Sequence, residues 1–422
     1  MGSTQSRLRP LAEDEISTAL YTLASGSSKQ EAKTAAFTAL RTHFVPVLSK
    51  KAKLAAVASV HSQRYELWGL MPAGASLLPP ERLADRIRGL VFGAALGDAA
   101  GLATEFLSRK TVEEFYGEGF PFSPQPSRVL PDTHRMMWAP GDWTDDTDQL
   151  VLILQSLLHT KGLADPSDFA RRMVRWQESG FQELGDGGAA GLGQHTKHVL
   201  SNPNFVTAPH ETAFAVWENG GRKNAANGAV MRTAVTGVPF FWSRETVIHN
   251  TISFCKTTHA DPRCVASCLV VALCVSEMLM GVPTDTRAQM EQLVARAVAV
   301  TKETVADDAV MDELTLTVEA TTRHDPQSLR DLELDDPHKL GYTFKCLGSG
   351  VWALNSETSF ESTMRQIVSE GGDADTNCAV AGALLGCRLG FSQLPSNWVA
   401  ELQHSSWLDA YAQKLLFMLQ LR

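Results

Sequence analysis

Gly141-Asp142-Trp143-Thr144-Asp145-Asp146-Thr147-Asp148-Gln149-Leu150-Val151-Leu152 and Gly371-Gly372-Asp373-Ala374-Asp375-Thr376-Asn377-Cys378 are the two stretches on which the reading of this chain turns. Each sets Asp and Thr oxygens directly ahead of an apolar run with helical spacing. Thr144 is a good N-cap for a helix beginning near Asp145, and the helix dipole favours Asp in a first turn, so capping accounts for one or two of these acids. It accounts poorly for four in seven positions (Asp142, Asp145, Asp146, Asp148), because adjacent carboxylates repel unless a cation lies between them. Carboxylate and hydroxyl oxygens suit hard divalent cations such as Mg²⁺ or Mn²⁺. The stretches lie more than two hundred residues apart, so a fold that joins them builds a two-metal site competent for hydrolysis.

Outward from these clusters the chain reads as helix after helix. Arg82 to Ala103 carries Gly89, Gly93, Gly97 and Gly101 among other small residues, which let a neighbouring backbone come close. Residues 149–160, Val265 to Met280 and Cys378 to Leu389 are nearly all apolar and predict buried helices. Alternating period-two stretches are scarce, so the fold class is all-α, with long loops at 117–140 and 180–228; loops of that length are usually functional. Residues 12–70 also read as helical, with Glu13 to Leu23 and Lys29 to Leu48 at helical spacing. Met71 to Pro80 is punctuated by Pro and Gly. The expected organisation is a helical N-terminal extension and linker, 1–80, and a catalytic domain, 81–422.

With 422 residues, 44% hydrophobic and 20% charged, the composition is that of a globular protein. A net charge of −9 argues against nucleic acid as the main partner. The seven cysteines form no CxxC pair, and four crowd one apolar stretch (Cys255, Cys264, Cys268, Cys274), which predicts buried free thiols in a reducing compartment. The longest apolar run, Cys264 to Met280, is broken by Glu277 and predicts a core helix rather than a membrane span. A cytoplasmic or nuclear location is expected. Met1-Gly2-Ser3-Thr4-Gln5-Ser6 fits an N-myristoylation pattern that would add weak membrane association at Gly2; a short disordered start or a Gly-Ser tag remnant is the plainer reading of so common a motif.

Four further segments carry polar groups next to small or apolar residues. Gly97-Asp98 and Glu105 place two acids in a small-residue stretch; Asp98 suits a buried hydrogen-bonding acid as well as a functional one. Gly185-Asp186-Gly187-Gly188-Ala189-Ala190-Gly191-Leu192-Gly193 is a loop whose backbone N–H groups are free to cradle phosphate, or simply a flexible one. Asn227-Gly228-Ala229-Val230-Met231-Arg232 is a polar turn entering an apolar segment. Thr258-His259-Ala260-Asp261-Pro262 puts a lone His before an apolar helix, more often a cap than a ligand.

Taken in order, from about Arg82 to Leu416, these segments resemble the ADP-ribosylglycohydrolase family, which includes dinitrogenase reductase-activating glycohydrolases and the ADP-ribosylarginine and ADP-ribosylserine hydrolases. The resemblance implies a compact multi-helix domain with a central di-metal cleft holding two Mg²⁺ or Mn²⁺ ions. It implies Thr144, Asp145, Asp146, Asp373, Asp375 and Thr376 as metal ligands, and Glu105 as the family's mobile acid. It matches Gly185, Asp186, Gly187, Gly191 and Gly193 to a diphosphate loop, and Asn227 and His259 to the lining of an ADP-ribose pocket.

The implied activity is metal-dependent cleavage of the glycosidic bond between ADP-ribose and a modified protein side chain (arginine or serine) or a small conjugate, with one of Glu105, Asp145 or Asp146 as acid or base. ADP-ribosylated protein is the expected partner. Two other classes stay open: a non-catalytic ADP-ribose-binding or structural member of the same fold, and a two-metal phosphate-ester hydrolase. The complete ligand set favours the enzyme.

Overall fold

Caps and breakers set where each helix begins and ends. In the computed structural model, which describes residues 11–24, 30–45, 48–65 and 71–421, Thr144 is the N-cap of the helix Asp145–His159. Asp261 caps Pro262–Met280 through Arg263 N, with Pro262 in the first turn, where its missing N–H costs nothing. Gly281 ends that helix at φ +91°, a backbone conformation that favours glycine. Among the described residues there are twenty α-helices, four short 3-10 turns and two isolated β-bridges. The all-α expectation stands.

Some boundaries differ from the sequence reading. Within the stretch Lys29 to Leu48 the described helix is Gln30–Phe44, and a separate helix, Lys50–Ser62, is capped by Ser49, whose hydroxyl accepts from Ala52 N. The expected loop 180–228 contains two helices, Gln194–Leu200 and Pro209–Asn219. Pro209 opens the second, which buries Thr212 and Ala213; its short apolar face is too brief to stand out from its polar surroundings. The loop 117–140 holds one 3-10 turn, Arg135–Met137. Gly2 lies outside the described residues.

The core is a stack of buried helices: Pro80–Gly101, Pro262–Met280, Thr343–Leu354 and Ala374–Leu389. Pro262–Met280 is long and apolar enough to cross a membrane, yet 89% of its most apolar window is buried within the fold. All seven cysteines are buried free thiols.

The first and last of these core helices pack backbone against backbone. A Cβ built on Gly89, Gly93, Gly97 or Gly101 would lie 2.1, 2.1, 2.0 or 2.3 Å from the carbonyl oxygens of Gly386, Gly382, Cys378 and Ala374. Reciprocally, a Cβ on Gly382 or Gly386 would lie 2.1 Å from the Gly93 or Gly89 oxygen. Glycine at every fourth position thus lets the two backbones touch along one face. The contact ends where Gly101 meets Ala374 and Asp375, four residues before Glu105. Helix packing therefore delivers the second acidic cluster to Glu105.

Candidate active site

The segment after Gly101 runs back along the second cluster. Leu107 and Gly372 form an antiparallel bridge, with Gly372 N donating to Leu107 O at 2.8 Å and Phe106 N to Gly372 O at 2.6 Å. Gly371 and Gly372 have φ near +70°, and a Cβ on Gly372 would lie 2.0 Å from Leu334 O, so the turn needs glycine twice over. The outcome is a buried acidic group: ligand oxygens of Glu105, Asp373 and Asp375 lie within 4.8 Å of one another.

The first cluster joins it through hydroxyls. Thr376 Oγ1 donates to Asp146 Oδ2 at 3.3 Å, and Thr144 Oγ1 donates to the same oxygen at 3.1 Å. Asp145 lies alongside, its Oδ2 accepting from Gln149 Nε2 at 2.6 Å. Asp98 braces this arrangement from below. Its Oδ1 accepts from Thr144 N at 2.9 Å, and its Oδ2 from Thr147 N at 3.0 Å and Thr147 Oγ1 at 2.6 Å. Burial, opposed by those hydrogen bonds, pushes the Asp98 carboxyl up to about 6.

Capping does not explain the second cluster. Asp373 occupies the N-cap position of Ala374–Leu389, but its carboxylate makes no capping hydrogen bond to that helix's backbone. It accepts from Asn227 Nδ2 at 2.9 Å instead. Burial raises the carboxyls of Asp145, Asp146, Asp373 and Asp375 above their ordinary value. The neighbouring acids add to it, Glu105 being the largest of these for Asp145, Asp373 and Asp375, and Asp98 for Asp146. For Asp145 the rise is to about 8, with Arg232 opposing. Packing so many acids together is costly for the protein alone and natural for a cation site.

The donor set fits a hard divalent metal. Asp146 Oδ1 and Asp375 Oδ1 are buried and have no hydrogen-bond partner among the described residues, so oxygen valences are left for a ligand. Thr144, Asp145, Asp146, Asp375 and Thr376 are buried around this point, and Asp373 is half-buried beside them.

The pocket residues divide. Asn227 meets Asp373 directly, and its N–H donates to Gly341 O at 2.9 Å. His259 is fully buried, and burial, then His195 and Arg232, hold its pKa well below the ordinary value, so the ring is neutral. Its Nδ1 lies 2.8 Å from Thr258 Oγ1, which already accepts from Arg232. The Thr258 proton is then available to Nδ1, and the tautomer this network favours carries its proton on Nε2. That Nε2 has no partner among the described residues and faces Gly228, where a Cβ would lie 3.2 Å away.

The glycine loop lies elsewhere in part. Gly191 alone comes to the cluster, where a Cβ would lie 2.6 Å from Asp145 Oδ1. Gly193 holds the N-cap position of Gln194–Leu200. Gly185, Asp186 and Gly187 line a separate cavity of about 190 Å³ with Asp142, Asp148 and His404. The lining of this cavity offers a diphosphate three acids and no Lys or Arg.

A family model for ADP-ribosylglycohydrolases matches residues 79–421. The chain belongs to the ADP-ribosylglycohydrolase family. It is accordingly an ADP-ribosylhydrolase by class. The ADP-ribosylarginine hydrolase Tri1 of Serratia proteamaculans is 24% identical over 81% of this chain and 82% of its own length. The ADP-ribosyl-[dinitrogen reductase] glycohydrolase of Rhodospirillum rubrum is 24% identical over 75% and 90%. The ADP-ribosylhydrolase ARH3 of Bos taurus is 26% identical over 79% and 93%. A solved structure titled ADP-ribosylglycohydrolase-related protein complex superposes with a TM-score of 0.52 at 24% identity, covering 80% of this chain and 99% of that one, and shares the fold.

Within this candidate site, sequence reasoning missed four residues. His134 Nε2 lies 2.6 Å from Glu105 Oε2. A lone His in a long loop carries no pattern that would reveal this. Gln149 and Arg232 form a buried pair behind Asp145, with Arg232 Nη1 donating to Gln149 Oε1. Both sit inside motifs that were recognised, but their roles appear only once the motifs meet. Gly341, from a loop with no sequence signal, lies beside Asn227 and Asp373.

Proposed function

We propose that the chain is a divalent-metal-dependent hydrolase that cleaves the glycosidic bond between ADP-ribose and a modified arginine or serine side chain, or a small ADP-ribosyl conjugate. The observation that carries this reading is the meeting of Glu105, Asp373 and Asp375 within 4.8 Å, against Asp145 and Asp146. The names of relatives that act on ADP-ribosylarginine and on dinitrogen reductase support it.

Thr144, Asp145, Asp146, Asp373, Asp375 and Thr376 would hold two Mg²⁺ or Mn²⁺ ions. Such a pair, when bound, lowers the pKa of water and orients the ribose hydroxyls. Glu105 is the best-placed acid or base: Asp145 is held by Gln149 and Asp146 lies between two Thr hydroxyls, whereas Glu105 contacts the half-buried His134 at the rim. Glu105 would take a proton from the attacking water or give one to the leaving atom. Asn227, oriented by Asp373, and the free Nε2–H of His259 would hold polar atoms of ADP-ribose. The match of Gly185, Asp186 and Gly187 to a diphosphate loop rests on the sequence resemblance alone. The division at residue 80 rests on the Pro and Gly of Met71 to Pro80, the cytoplasmic or nuclear location on the cysteine usage, and membrane association through Gly2 on the Met1 to Ser6 pattern.

The test is release of ADP-ribose from arginine- and serine-ADP-ribosylated peptides with Mg²⁺, with Mn²⁺ and with EDTA. Metal-dependent release from either peptide is expected. Tight ADP-ribose binding with no release from any conjugate would refute the catalytic reading and leave a binding protein.

A further inference from the structure

The N-terminal helices lie outside the region matched by the family model, 79–421, yet they pack on the turn that reaches Glu105. Leu23 and Phe37 are buried, and Leu40 is fully so; together with Met136 they form an apolar cluster separate from the main core. Arg41 Nε donates to Trp138 O. Helix Gln30–Phe44 thus grips residues on both sides of Met137. Between this grip and the loop 124–141 lies a cavity of about 450 Å³, so the contact is concentrated at Met136 and Trp138.

The same turn holds the site from its other side. Next to Met136, Arg135 Nε donates to Ala103 O at 2.8 Å, and Arg135 Nη2 donates to Glu105 O. His134 contacts the Glu105 carboxylate, and its ring lies 5.0 Å from that of Phe106. A Cβ on Gly191 would lie 3.4 Å from the Trp138 indole as well as 2.6 Å from Asp145 Oδ1, so Trp138 packs beside the first cluster too. Other anchors of the loop hold residues before and after this turn: Arg365 Nε donates to Phe122 O, Leu130 N to Tyr116 Oη, and Gln403 N to Gly141 O at 2.7 Å. The placement of residues 134–138 is therefore shared between Glu105 on one side and the N-terminal helix on the other.

We propose that the helices Glu13–Ala24 and Gln30–Phe44 form an intramolecular brace on the turn 134–138, and that His134 is the positioning residue through which the brace sets the Glu105 carboxylate. The proposal rests on the catalytic reading of Glu105 given above. Loss of the brace leaves the metal ligands and the ADP-ribose pocket in place and lets Glu105 wander. It therefore lowers kcat rather than ADP-ribose affinity.

The test uses the full chain with Leu40→Asp, which puts a charge into the apolar grip, and the milder Phe37→Ser should the first fold poorly. Hydrogen exchange of amides 132–138 is expected to quicken at least about tenfold, with helix Asp145–His159 as protected as in the wild type. Turnover should fall by about ten- to a hundredfold, with inhibition by free ADP-ribose unchanged. His134→Ala should lose turnover similarly without loosening residues 30–44, His134→Gln should restore much of it, and Leu40→Asp combined with His134→Ala should lose little more than either alone. Wild-type protection of 132–138 or wild-type kcat in a chain whose residues 30–44 exchange freely overturns the brace. Losses that multiply overturn His134 as its route. A wild-type chain inert toward every ADP-ribosyl conjugate sinks the catalytic reading instead, and the exchange experiment still decides the brace.

Discussion

Replacing Gly101 by Ala tests whether the glycine-lined helix contact places the site. A methyl there would lie 2.3 Å from Ala374 O, 2.5 Å from Ala374 C and 2.5 Å from Asp375 Cα. Ordinary contact needs about 3.5 Å, so the two backbones must part by about 1 Å at this end. All three atoms are backbone, so no rotamer change relieves the clash. Ala gains about 1 kcal/mol over Gly in a helix, while overpacking costs about 1–3 kcal/mol and more against rigid neighbours. The net expectation is about 2 kcal/mol of lost stability, or about 3 °C in Tm for a domain of this size. Because the displaced residue is Asp375, turnover should fall by about a hundredfold, the usual effect of a 1 Å error in a catalytic array.

Gly89→Ala is the control, since its methyl would lie 2.1 Å from Gly386 O about 18 Å further along the helix. It should lose comparable stability with much less activity. Gly193→Ala, with open space and φ −63°, should be neutral or slightly stabilising. Differential scanning calorimetry and steady-state kinetics on the three variants supply the numbers. A Gly101→Ala protein with wild-type Tm and kcat would show that the close contact does not position the second cluster.

Three further outcomes are expected. Asp145→Asn with Asp146→Asn should cut kcat by at least about a thousandfold yet raise or preserve the Tm of the metal-free protein, because it removes buried carboxyls whose pKa values burial and mutual repulsion have raised; a large drop in metal-free Tm would contradict that. EDTA should abolish turnover and lower Tm, and Mg²⁺ or Mn²⁺ should restore both, read by thermal shift; a Tm indifferent to metal would count against the site. Burial holds His404 down at about 4, so the unfolded chain binds its proton more readily between pH 4 and 6.5; the His404 contribution to stability should rise by up to about 3 kcal/mol as pH increases through that window, against the opposite slope of the raised carboxyls Asp98 and Asp145. His404→Gln should remove this rising contribution, so that the variant's Tm gains on the wild type's toward pH 4, and a Tm difference independent of pH would refute the assignment.

The parts of this protein that lie within a few residues of one another were readable in the chain. Helical spacing gave the core helices, and Thr144 announced the start of Asp145–His159. Gly89, Gly93, Gly97 and Gly101 announced a helix face made for close contact. Where the apolar signal was short, as in Pro209–Asn219, the reading failed, because one buried face of two small residues does not rise above a polar background.

By itself the sequence determined the all-α class, the acidic clusters and the chemistry their oxygens suit, because each depends on local spacing and side-chain type. Tertiary structure decided which oxygens meet. It gave Asp373 to Asn227 instead of to its own helix cap, and left Asp98 as the buried acid that orients the first cluster. It turned Gly185 to Gly187 toward Asp142 and Asp148, brought only Gly191 to Asp145, and set His134 against Glu105 under a helix the family model does not cover. These contacts join residues tens to hundreds of positions apart. They are fixed by the summed packing of whole helices, above all the backbone-to-backbone contact of Pro80–Gly101 with Ala374–Leu389, and no short window of sequence contains that sum.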